Sequence, residues 1–337
     1  MPVIDFKHKM AAHCETGTVN ALLNYHGLSI TEPMVFGIAG GIFFGYLTTS
    51  NFAFPTFIVR SRPGQVRKNI SKRLGVQFNQ QDFGKNREKG EQALDQNIEK
   101  GIPTAAQLDF FYMDYMPEWQ RVHINVHFLI VIGKEDDHYI VSDSYFPKIA
   151  KVHKNQFIRA RFAGGHMAPK GFIYTVGKIP KKVDFKEPII KGIKRAAFNM
   201  VKLPVPFVGV KGIYKFASKI NEWPKIARDE DDLSHQIMKI NVLLEDQGTG
   251  GAGFRYMYAT FLQQAADELN DDKLNDFSKR MMEIGDGWRH ISYHSAKMGK
   301  NRAFSDQSFD ELSKMIKERG DVEKVFFTDL LKHINTY

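Results

Sequence analysis

Cys14 is the only cysteine among 337 residues, and it stands just before a helical repeat. Val19, Leu22, Leu23 and His26 share one face at i, i+3, i+4, i+7, and Gly27 follows as a stop. A cysteine in the first turn of a helix faces unpaired backbone N–H groups and the positive end of the helix dipole. Both favour the thiolate, and the N–H groups can hold an oxyanion. A lone cysteine is also compatible with a small buried hydrophobe. The stretch 127-HFLIVIGKEDDHYIVSDS-144 favours the reactive reading. His127 opens one apolar run, a polar turn follows at Lys134–Asp137, and a second run leads to Asp143. That pattern predicts a β-hairpin in which His127 and Asp143 lie near one another, so the carboxylate orients the imidazole. Cysteine, histidine and acid then make nucleophile, base and orienter.

The elements that must position these residues read as an α+β layout. Thr31–Pro33 resembles a helix start, and Phe54–Arg60 reads as a strand. Val66, Ile70 and Leu74 mark a basic amphipathic helix, and Lys85–Lys100 a charged helix closed by Gly101. Pro103–Phe111 is a strand, Asn155–Phe162 a helix and Gly171–Val176 a closing strand. The glycine-rich segment Gly37–Gly45 lacks the lysine and Ser/Thr of a phosphate loop and is not a dinucleotide fingerprint. It is expected to be backbone passing close to the cysteine helix or to an acyl channel.

The order and spacing of these features resemble the papain-like superfamily. HCETGTVNALLNYHG followed by PMVFGIAGGIFFGY resembles the N-terminal domain of the butirosin biosynthesis protein H-like family. GTGGAGFRYMYATFLQQAADEL, residues 248–269, resembles the helical domain that commonly follows it. The resemblance implies a papain-like fold with a leading helix and an antiparallel sheet, then an all-α C-terminal domain. It implies acyl transfer from an acyl carrier protein to an amine. It also implies an oxyanion-hole side chain about six residues before the nucleophile. His8 holds that position, and His13 is a second candidate.

Length suggests two domains, expected at 1–180 and 181–337. Hydrophobic content of 43% and charged content of 25% are ordinary for a globular protein. Met1–Lys9 is short and charged with no apolar run behind it, so no secretory leader is expected. One cysteine excludes an intramolecular disulfide and a cysteine-rich zinc site, and it fits a reducing cytoplasm. His290 and His294 are four apart on a helix with no third ligand in view, so no metal is expected.

From Lys178 to Lys219 eleven Lys or Arg face two acids, an excess equal to the whole formal charge of +9. Lys191, Lys194 and Arg195 lie in it, on an amphipathic pattern, and suggest an acidic partner. An acyl carrier protein fits, and so does an anionic membrane surface. Nucleic acid fits the charge but has no binding motif here, and it is not expected. Beyond Asp229 the periodicity is helical: Leu233–Leu244, Phe254–Leu269, Leu274–His290 and two helices between Phe309 and Ile334. Gly250, Gly251 and Gly253 lead into a helix carrying Arg255, which reads either as a tight interdomain turn or as an anion site for a carboxylate or a phosphopantetheine phosphate.

Two functions stay open. In the first, Cys14 takes an acyl group from a thioester and passes it to an amine or hydroxyl of a small-molecule acceptor in a biosynthetic pathway. His127 acts as base, Asp143 fixes its tautomer, and no cofactor is required beyond the donor's own phosphopantetheine. In the second, a papain-like peptidase or amidase, water replaces the acceptor. Oligomeric state is not fixed by any of these features.

Overall fold

The structure is a computed structural model that describes residues 3–48 and 54–337. The chain forms two compact units. The first takes in the residues up to Val35 and Ile70–Val183, the second Phe36–Asn69 and Asp184–Tyr337.

The first unit opens with α1 (Cys14–Tyr25), and the chain crosses to the second within α2 (Glu32–Ile38). There it forms β1 (Ile42–Leu47) and β2 (Thr56–Arg60), and it returns within α3 (Gln65–Leu74). Next come β3 (Gln77–Gln81), α4 (Arg87–Glu99) and β4 (Thr104–Leu108). The hairpin β5 (His127–Glu135) and β6 (His138–Ser142) follows, then β7 (Ala150–His153), α5 (Lys154–Arg161) and β8 (Ile173–Lys178). Among the described residues these strands make a six-stranded sheet in the order β3-β8-β4-β5-β6-β7, antiparallel throughout. The run Phe128–Ile132 is buried along its whole length. A strand covered on both faces needs such an unbroken apolar run rather than alternation. α1 packs on β5, and its Val19, Leu22 and Leu23 are fully buried. The expected α+β architecture of leading helix and antiparallel sheet is therefore what the first unit has.

The second unit contains α6 (Lys186–Val201), α7 (Gly209–Lys219), the single-turn α8 (Trp223–Ile226), α9 (Glu230–Asn241), α10 (Arg255–Leu269), α11 (Asp272–Lys300) and α12 (Asp306–Ile334). Residues 184–337 are helical as expected, but the unit is not all-α, because the hairpin β1–β2 belongs to it. Residues 36–69 likewise separate from the rest of 1–180. The cause is apolar burial: Phe44 stacks on Phe57, Phe216 and Trp288, and the Trp223 indole N–H donates to the Tyr46 hydroxyl at 3.0 Å. The glycines of this segment mark close approach of packed groups within the second unit. A Cβ on Gly37 would lie 2.0 Å from the Phe261 ring. The two helices expected between Phe309 and Ile334 are one, because Gly320 alone, with no proline, costs only about 1 kcal/mol mid-helix.

Candidate active site

Cys14 is the first residue of α1, and the segment before it is tied down from three sides. His13 caps the helix, its Nδ1 accepting the Thr16 N–H at 3.3 Å. The Glu32 carboxylate, at the first residue of α2, accepts the N–H groups of Ala12 and His13, both at 2.9 Å, and the Thr16 hydroxyl at 2.8 Å. Burial pushes the Glu32 carboxyl up, against the opposing pull of those donors. Ala11 N–H donates to the Ser144 carbonyl at 3.0 Å, which anchors the same segment to the chain just past Asp143. Gly17 makes that seat possible, since a Cβ there would stand 2.5 Å from Ala11 Cβ and 2.9 Å from Ser144 Oγ. The result is a helix N-terminus presented rigidly to the start of β5, with Cys14 Sγ 3.8 Å from the Val126 carbonyl.

His127 is the first residue of β5 and is buried. Its Nε2–H donates to Asp143 Oδ2 at 2.8 Å, and Cys14 lies close enough to the imidazole to add to the pull on its proton. Asp143 is fully buried and accepts two more donors: the Tyr115 hydroxyl on Oδ2 at 2.6 Å and the Tyr145 N–H on Oδ1 at 2.9 Å. Burial works against charge on His127, but the Asp143 carboxylate reverses this, and with Cys14 it lifts the imidazolium to about 10. Burial likewise opposes charge on Asp143. The His127 charge and hydrogen bond, helped by Tyr115 and Tyr145, outweigh it and hold the carboxyl below the ordinary range. Phe110 covers the imidazole, ring centroids 4.8 Å apart. The pair is thus an internal ion pair pointed at a sulfur, the electrostatic setting in which a cysteine becomes nucleophilic.

The structure brings Cys14, His127 and Asp143 together and places the other expected residues elsewhere. His8 lies alongside β6: its Nε2–H donates to the Phe146 carbonyl at 3.0 Å, and its Nδ1 accepts the Ser142 hydroxyl at 2.8 Å. Both nitrogens are committed, so His8 supports the strand end before Asp143 and has no donor left for an oxyanion. His13 is the helix cap. Arg255 is fully buried and carries no free charge for an anion. Its Nε and Nη2 donate to the two oxygens of Glu323, each at 3.0 Å, its Nη1 donates to the Gly253 carbonyl, and it lies over the Trp288 ring. Gly250, Gly251 and Gly253 all have positive φ, forming a left-handed turn into α10 that extends through Ala252 and Phe254. Lys191, Arg195, Phe198 and Lys202 form an exposed stripe along α6 and its C-cap, at i, i+4, i+7, i+11, with Lys191 paired to Glu187 at 2.6 Å. Lys194, beside them, is half-buried. Among the described residues no group of three ligating side chains lies together around His290 and His294 or elsewhere. None of the described helices is long and apolar enough to cross a membrane.

Sequence reasoning missed Tyr115 and Glu32. Glu32 was legible only as an acid at a helix start. Tyr115 lies in a loop without periodicity, and no local signal ties it to Asp143.

A helix led by a cysteine, packed on an antiparallel sheet that carries a histidine at the start of a strand, is the papain-like arrangement, and the first unit of this chain has that fold. The chain belongs to the family in which an N-terminal region described as "Butirosin biosynthesis protein H, N-terminal", matched here over residues 13–144, is followed by "Domain of unknown function (DUF4872)", matched over residues 155–330. No curated protein sequence matches it. A solved structure described as a C39-like peptidase from Bacillus anthracis is similar over 53% of this chain and 98% of its own, at 14% identity and a TM-score of 0.36.

Proposed function

We propose that this protein is a cysteine-dependent acyltransferase that moves an acyl group from a thioester to an amine or hydroxyl acceptor through an acyl-Cys14 intermediate. The observation that carries this reading is Cys14 at the first position of α1, facing a His127 that is hydrogen-bonded at 2.8 Å to a buried Asp143. The sulfur attacks the thioester carbonyl beside an imidazolium that stabilises the thiolate form. The oxyanion develops at the N-terminus of α1, where backbone N–H groups and the helix dipole favour it. The C–S bond to the donor breaks, and the departing thiolate takes its proton from His127. The imidazole, now neutral and held in one tautomer by Asp143, then removes the acceptor's proton as nitrogen or oxygen attacks the acyl-Cys14 carbonyl. Cys14 leaves as thiolate and the imidazolium is restored.

The donor in this proposal is an acyl group on the phosphopantetheine arm of an acidic carrier protein. The stripe Lys191, Arg195 and Lys202, with Phe198 exposed among the cations, supports it by charge complementarity. Family membership supports a biosynthetic setting. Hydrolysis, with water in place of the acceptor, is the competing fate of the same intermediate. The test is the mass of the protein after exposure to a small acyl thioester, with and without an amine. One acyl group on Cys14, discharged faster by amine than by water, is expected.

A further inference from the structure

We propose that Tyr115 is a positioning residue of this site: its hydroxyl fixes Asp143 and limits how firmly the carboxylate grips the His127 proton. The inference rests on the reading of Cys14, His127 and Asp143 as the reactive group. Tyr115 and His127 donate to the same oxygen, Asp143 Oδ2, at 2.6 and 2.8 Å. A hydrogen bond donated to a charged carboxylate stabilises it and lowers its basicity, so the Tyr115 hydroxyl weakens the pull of Asp143 on the His127 proton.

The loop is built to keep the hydroxyl there. The Arg121 guanidinium donates to the carbonyls on either side of Tyr115, those of Asp114 at 3.0 Å and Met116 at 2.8 Å. The Tyr115 ring rests against Phe146, centroids 5.1 Å apart. Burial and the neighbouring Asp143 charge hold its proton on far above the usual phenol range, so Tyr115 is a donor at every working pH. The groups that act on the pair are Cys14 from α1, the Tyr115 hydroxyl from the loop and the Tyr145 N–H past β6, while the Asp114 charge acts on Tyr115.

The consequence is a balance. Without the Tyr115 hydroxyl, Asp143 would hold imidazolium more tightly, and less neutral imidazole would be present to take the acceptor's proton. With it, the carboxylate still orients the ring but surrenders part of its pull. Tyr115→Phe keeps the ring and deletes the donor. A fluorinated tyrosine at 115 keeps the donor and strengthens it.

The experiment follows the His127 titration by NMR in protein labelled at histidine, the signal assigned by its loss in His127→Gln. Thermal melts establish that each variant is folded. The expected order is Tyr115→Phe titrating at higher pH than the natural protein, and the fluorotyrosine protein at lower pH. The alkaline rise in amine-dependent discharge of acyl-Cys14 should move in the same order. An unchanged titration in both variants, or a shift of both in one direction, overturns the proposal, because loosening of the loop has no reason to reverse sign with donor strength. The NMR order does not depend on the identity of the reaction. If it holds while no acyl-Cys14 forms, Tyr115 keeps this role and the acyltransferase reading fails.

Discussion

Asp143 lies on the same face of the sheet as His127 because Ile132 bulges out of the strand between them. Beyond the bulge Gly133 pairs with Ile140, and before it Val131 pairs with Val141 and Ile130 with Ser142, so β5 has one residue more than β6. Extending the register sets Asp143 opposite Leu129 and diagonal to His127, within reach of an imidazole. Without the extra residue Asp143 would oppose Ile130, and its carboxylate would point through the other face of the sheet. The carbonyl of Ile132 is used as well, accepting the Ile4 N–H at 2.7 Å.

Asp143→Asn should leave the fold in place but lower the rate of Cys14 acylation by roughly 10²–10⁴-fold. The amide cannot hold the imidazolium, and it can present the wrong partner to Nε2. Single-turnover acylation kinetics measure this. A rate within about threefold of the natural protein would mean that the diagonal pair is structural only.

The same pair sets a pH signature in stability. His127 binds its proton more firmly folded than unfolded, about 10 against 6.5, so its contribution is full below 6.5 and is lost as pH rises through about 10. Asp143 is held below its ordinary 3.8, so its contribution is present above that value and is lost as pH falls below it. The gap in melting temperature between the natural protein and His127→Gln should therefore be widest from about pH 4 to 6.5 and shrink by about pH 11. Melts across that range check it, and a gap that widens with pH would contradict it.

How much of this was legible in the sequence follows from the range of each interaction. α1, its cysteine and the hairpin rest on local periodicity and turn residues, and the chain announces them. The bulge at Ile132 lies inside an unbroken apolar run, where nothing marks the extra residue. Short β1, β3 and β7 were not readable either. β1 is crossed by a glycine, β3 reads Gln-Phe-Asn-Gln-Gln, and β7 has only four residues. Arg255 looked like an anion ligand because Glu323, 68 positions later, leaves no trace beside it.

Glu323→Gln should cost roughly 3–5 kcal/mol, because it leaves the Arg255 charge buried and weakens the bonds from Arg255 and Trp288. Urea unfolding measures the loss. Acylation of Cys14 by a small thioester should be unchanged in the folded fraction. A variant of normal stability with an impaired carrier-bound reaction would return Arg255 to the role of an anion ligand.

Reversing Lys191, Arg195 and Lys202 to glutamate should raise the apparent KM for a carrier-bound acyl donor at least tenfold at low salt and abolish its salt dependence. A small uncharged thioester should react normally, since Cys14, His127 and Asp143 are untouched. Equal effects on both donors would show damage to packing. No effect on either, with loss of binding to anionic vesicles, would assign the stripe to a membrane surface.

The central claim is the acyl-Cys14 intermediate, and intact mass spectrometry after incubation with an acyl N-acetylcysteamine thioester tests it most directly. One adduct per chain is predicted, mapped to Cys14, absent in Cys14→Ala and transferred to an added amine faster than it is lost to water. Absence of an adduct across short, long and aromatic acyl thioesters, with Cys14→Ala retaining whatever turnover the natural protein shows, would contradict it.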